Sequence, residues 1–76
     1  MKDFIEFIVK ALVDNPNEVS VKEILGSRPT VYELRVGQGD LGKVIGKNGQ
    51  TAKSIRTLLA AVSARQGKRA VLEILE

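Results

Sequence analysis

Gly46-Lys47-Asn48-Gly49 stands between two apolar segments that both have helical spacing. Before it, Leu41, Val44 and Ile45 fit a short helix over 41–45. After it, Ala52, Ile55, Leu58, Leu59 and Val62 fit a longer helix from about Gln50 to Arg65. A link this short forces a sharp turn, and its glycines leave the backbone uncovered by side chains. Asp40 is a good N-cap for the first helix. Gln66-Gly67 ends the second, with Gly67 suited to the left-handed position beyond a helix C-terminus.

The flanking segments complete a small sheet. Phe4, Ile5, Ile8, Val9, Ala11 and Leu12 predict a helix over 2–13, stopped by Asn15-Pro16. Val19 and Val21 alternate with Ser20 and Lys22, and Ile24-Leu25 follow, which reads as a strand. Gly26-Ser27-Arg28-Pro29 turns the chain into a second strand, Thr30 to Val36. In that strand Tyr32, Leu34 and Val36 share one face, and Glu33 and Arg35 share the other. The turn favours an antiparallel hairpin. Arg69 to Leu75 forms a last strand. The order αββααβ predicts a single α+β domain over residues 1–76, with helices on one face of a three-stranded sheet.

Length and residue types exclude several function classes. A 76-residue chain buries about 60–65% of its unfolded surface, so stability is marginal and a partner subunit would help. The chain has no cysteine and no histidine. That removes disulfides, thiolate metal sites, the usual general base and the commonest metal ligand. No serine has a visible base near it in sequence, and no cofactor or metal site is expected. No apolar run approaches the roughly 18–20 residues of a membrane span. Met1-Lys2-Asp3 does not open a signal peptide, and a cytoplasmic protein is expected.

Charge is concentrated. Residues 1–36 carry five Lys/Arg and six Asp/Glu, and residues 37–69 carry seven Lys/Arg against Asp40 alone. A net +3 for the chain therefore hides a +6 segment that suits phosphates, or that simply forms a solvated face. Two nucleotide motifs within it are decoys. Gly37-Gln-Gly39-Asp-Leu-Gly42 has the dinucleotide-binding form but no acidic residue about 20 positions on. Gly37 to Lys43 imitates a phosphate-binding P-loop, yet the next residue is Val44, which cannot hold magnesium.

Gly46-Lys-Asn-Gly49 remains, and taken alone it is a plain turn. Its context is more specific. Val44-Ile45-Gly46-x-x-Gly49, followed by Ala52-Lys53-x-Ile55, resembles the signature of KH domains, RNA-binding modules with a GxxG loop. The αββααβ order matches the type II form of that fold. Residues 40–49, together with Ile55-Arg-Thr-Leu-Leu59, resemble the KhpA (YlqC) family of small bacterial single-KH proteins, and the likeness covers essentially the whole chain. Ala52 departs from the pattern, since many KH domains carry a larger apolar residue there.

The resemblance implies non-catalytic binding of about four nucleotides of single-stranded RNA, or DNA, in one groove. The residues offer a mechanism. The first N–H groups of the second helix lack partners within it and face the loop, with the positive end of the helix dipole behind them. Gly46 and Gly49 let a nucleic-acid backbone approach, Lys47 adds charge and Asn48 adds a donor. Lys43, Lys53 and Arg56 are further phosphate candidates, while Lys68 and Arg69 suit contact or solvation equally. Val44 is assigned to the apolar groove beside the loop and Ile45 to the core; Leu59 is assigned to the core, and Ile55 to core or groove.

One groove without an available aromatic residue implies weak, salt-dependent binding with little sequence discrimination. The family implies self-association, and pairing with a larger KH protein of the KhpB (Jag, EloR) kind, with a link to cell division and cell shape. The helix carrying Ile55, Leu58, Leu59 and Val62 is the candidate dimer face, although the same residues suit a core. A protein–protein interaction module whose partner reads the RNA is the alternative. A helix–turn–helix DNA binder is disfavoured by the strands.

Overall fold

The computed structural model describes residues 1–24, 26 and 28–75. Leu25 and Ser27, expected at the strand end and in the turn, lie outside the described residues, as does Glu76. Helix α1 spans Lys2–Leu12 and buries Ile5 and Val9, one turn apart. Asp3 in its first turn and Lys10 in its last complement the helix dipole. Val13 ends it in extended conformation, and Pro16 opens a short 3-10 turn, Pro16–Glu18, that the sequence pattern does not announce.

Strand β1, Ser20–Ile24, pairs antiparallel with β2, Thr30–Arg35, with Val21 opposite Leu34 and Glu23 opposite Tyr32. The expected hairpin is therefore present. Strand β3, Ala70–Ile74, pairs parallel with β2, placing Leu72 beside Tyr32 and Ile74 beside Leu34. The sheet order is β1-β2-β3. The parallel pair requires a crossover. The crossover consists of α2, Leu41–Ile45, and α3, Gln50–Arg65, the two helices the glycine loop separates.

Val21, Tyr32, Leu34 and Leu72 point to one side of the sheet and join Ile5, Val9, Val44, Ile55 and Leu59 in one core. The other face carries Lys22, Arg35 and Glu73, all exposed. The helices thus cover one face, as the periodicity predicts. Ile55 and Leu59 are 4% and 2% exposed, so both are core residues and neither belongs to an outer dimer face. Among the described residues no helix is long and apolar enough to cross a membrane.

Helix α3 closes with a Schellman motif. The N–H of Gly67 donates to Ala64 O at 3.0 Å and that of Lys68 to Ser63 O at 2.9 Å, with Gly67 at φ 68°. The helix spans Gln50–Arg65, in agreement with the expected helix from about Gln50 to Arg65.

Candidate nucleic-acid interface

The junction between α2 and α3 is built by backbone conformations that few residues adopt. Gly46 has φ 77°, ψ 172°, and Gly49 has φ 73°, ψ 11°. A Cβ on Gly46 would collide with the Thr51 side chain and lie 2.8 Å from the Thr51 backbone nitrogen, so the position excludes every other residue on two grounds. Gly49 has open space where its Cβ would be, so only its left-handed φ requires glycine. Asn48 is also left-handed, at φ 57°, ψ 26°, a conformation asparagine tolerates better than most residues.

Lys47, Asn48 and Gly49 form a single 3-10 turn. Gly49 N–H donates to Gly46 O at 3.1 Å, and Gln50 N–H donates to Lys47 O. Two donors expected to face a phosphate are therefore spent inside the loop. The N–H groups of Lys47 and Asn48 open the turn and have no carbonyl behind them within it. Both side chains are exposed.

The two apolar residues before the loop both depart from their expected places. Val44 is 0% exposed and sits in the core, so its assignment to the groove is corrected. Ile45 is half-buried and lies on the same side of α2 as Leu41, one turn earlier. Helix geometry explains the difference. Two consecutive residues point about 100° apart, and spacing alone does not say which one meets the sheet. Leu41 also lines a hollow of about 380 Å³ with Val36, Gly37, Gln38, Gly39 and Leu75. Neither Leu75 nor the Gly37–Gly39 segment is among the binding residues that the sequence pattern predicts. Leu75, an apolar residue just past the strand, is the signal in the sequence that points to this hollow.

The basic residues fall in different settings. Lys53 is exposed, one turn into α3. Lys43 Nζ lies 3.1 Å from Asp14 Oδ2, an exposed ion pair of small energetic value. Arg56 Nε donates to the carbonyl of Leu72 at 3.4 Å, which leaves its terminal nitrogens available. Arg56 thereby covers part of the open edge of β3. Leu58 is 49% exposed and Val62 is half-buried one turn on, so these two form the outward apolar stripe of α3.

Asp40 behaves differently from its expected role. It has helical backbone angles and makes no side-chain cap to α2. Its buried carboxylate reaches back to the α1–β1 connection, where it accepts hydrogen bonds from Asp14 N at 3.2 Å and Asn15 N at 3.0 Å. It also accepts one from Asn15 Nδ2 at 3.2 Å. Burial alone would push this carboxyl up. The donors from Asn15 and Asp14, with the Lys43 charge, outweigh that and hold it below the ordinary carboxylate range. The backbone beside Pro16 has no ladder partner, and the carboxylate satisfies it. The helix that leads into the glycine loop is thus anchored by the residue just before it.

The KhpA/KhpB KH-domain family matches residues 2–74. The chain is 53% identical over 76 residues to the RNA-binding protein KhpA of Chlamydia trachomatis serovar D, covering 100% of this chain and 97% of the relative. It is 53% identical to the RNA-binding protein KhpA of Aquifex aeolicus, over 100% and 96% of the two chains. The RNA-binding protein KhpA of Clostridium perfringens is 47% identical over 75 residues, 99% of this chain and 100% of that one. No solved structure matches. The mixed three-stranded sheet with its interrupted helix pair is consistent with a KH fold, and the chain belongs to the KhpA/KhpB family of KH domains, whose members are not enzymes.

Proposed function

We propose that this chain is a non-catalytic RNA-binding protein that grips the backbone of single-stranded RNA at Gly46-Lys47-Asn48-Gly49. The observation that carries the reading is the junction itself. Gly46 is locked against Thr51, Gly49 faces open space, and Lys47 and Asn48 project from the turn between them. The relatives named RNA-binding protein KhpA support it. A phosphate at the loop meets the N–H groups of Lys47 and Asn48, the Lys47 charge and the positive end of the α3 dipole. Lys53 adds charge along the strand, with Lys43 and the free nitrogens of Arg56 as outer contacts. Leu41 and Ile45 form the apolar floor on which bases lie.

Affinity from one such groove is weak, and pairing two copies raises it by avidity. We place the homodimer, or a heterodimer with a larger KH protein of the KhpB kind, on the outer stripe of α3 at Leu58 and Val62. The setting is the cytoplasm. A purely protein-binding module is the second reading, favoured by the same exposed Leu58.

An NMR titration of the labelled chain with a short single-stranded RNA tests the proposal. Amide shifts concentrated over residues 45–53 support it. Shifts confined to the Leu58–Val62 stripe, or absent throughout, overturn it.

A further inference from the structure

A second basic site lies at the other end of α3. The turn between β1 and β2 and the loop between α3 and β3 meet over a basin of about 500 Å³. Arg28 and Pro29 come from the first, and Gly67, Lys68 and Arg69 from the second; Glu23, Thr30 and Tyr32 complete the lining. The two connections are tied together where Thr30 N–H donates to Arg69 O at 3.0 Å. The 16 residues of α3 separate this basin from the glycine loop. At about 1.5 Å per residue that distance is about 24 Å.

Three cations line the basin against one acid, a net +2. Glu23 is the cross-strand neighbour of Tyr32. Burial, the Glu23 charge and a hydrogen bond to Glu23 push the Tyr32 phenol up, so it stays protonated and engaged with that acid. Among the described residues no salt bridge joins Glu23 to Arg28, Lys68 or Arg69. Exposed cations from two separate segments thus outnumber the single acid of one concavity, which is hydrogen-bonded to Tyr32 and pairs with none of them, and an anion relieves the remaining repulsion. A helix C-terminus favours cations on its own account. Here, however, Gly67 and Lys68 already satisfy α3 carbonyls through their backbone, and Arg28 comes from a different segment.

We propose that this basin is a second phosphate site, taking the backbone of the same RNA strand one helix length from the glycine loop. This rests on the RNA-binding reading above. Tyr32 is 6% exposed and cannot stack on a base, so the contact is to the backbone and carries no sequence preference. It lengthens the footprint and adds affinity by effective concentration.

The test compares an RNA of about four nucleotides with one of about 12, by fluorescence anisotropy across a salt series. The native chain is set against Arg28→Gln/Lys68→Gln/Arg69→Gln, with equal thermal midpoints confirming the fold. The native chain is expected to bind the long strand on the order of tenfold more tightly than the short one. The triple variant loses that gain, its log-affinity against log-salt slope falls by about 2, and its short-strand affinity is unchanged. If the short strand binds but length adds nothing, or the variant keeps the gain, the second site is overturned and the loop reading survives. If neither strand binds the native chain, both fall.

Discussion

Asn15 gives the buried Asp40 carboxylate two hydrogen bonds, from its backbone N–H at 3.0 Å and from its side-chain amide at 3.2 Å. The pair joins the exit of α1 to the first turn of the helix that carries the glycine loop. It also gives the fold a pH dependence with a definite sign. A carboxyl held below its unfolded value stabilises the native state above that value, about 3.9. The contribution fades as pH falls from there through the lower folded value. Thermal melts of the native chain should therefore lose midpoint below about pH 4. Asp40→Asn should melt lower at neutral pH and show a flatter acid limb. A parallel acid limb in the variant would place the titration elsewhere.

Gly46→Ala and Gly49→Ala should differ. Gly46 meets Thr51 and needs its unusual backbone angles, so alanine there forces the junction apart. At Gly49 only the left-handed φ is at stake, a cost of about 1–2 kcal/mol. Urea unfolding should rank Gly46→Ala as the more damaging, with Gly49→Asn milder than Gly49→Ala.

Val44 and Ile45 should separate stability from binding. Val44→Ala empties a fully buried position and should cost roughly 1–3 kcal/mol in urea unfolding. Ile45→Ala should cost less stability and lower RNA affinity more. The reverse ranking would return Val44 to the groove.

Leu58 and Leu59 are adjacent on α3 and opposite in environment, at 49% and 2% exposed. Leu59→Ala should cost about 2–5 kcal/mol. Leu58→Asp should leave the monomer's stability within about 0.5 kcal/mol and abolish any dimer seen by sedimentation. Retention of the dimer in Leu58→Asp would move the interface off this stripe.

Element positions were legible because each carries a local signal. Asn15-Pro16 stops α1, Gly67 closes α3, and the alternation of Tyr32 and Leu34 names the buried face of β2. What the pattern hid is set by three-dimensional placement. Val44 and Ile45 are both apolar neighbours on one short helix, and only the packing of α2 against the sheet distinguishes them. Asp40 has the identity of an N-cap, yet its partners are 25 and 26 residues away. Arg28, Lys68 and Arg69 are separated by up to 41 positions and meet only because β2 and β3 run parallel.

The most direct measurement is RNA binding by fluorescence anisotropy at low and moderate salt, comparing the native chain with Lys47→Asp/Asn48→Asp after matching their melting curves. The glycine-loop account predicts that the native affinity falls with rising salt and that the double variant loses binding at every salt. Equal binding by the two folded proteins would contradict it and leave the loop a simple turn between α2 and α3.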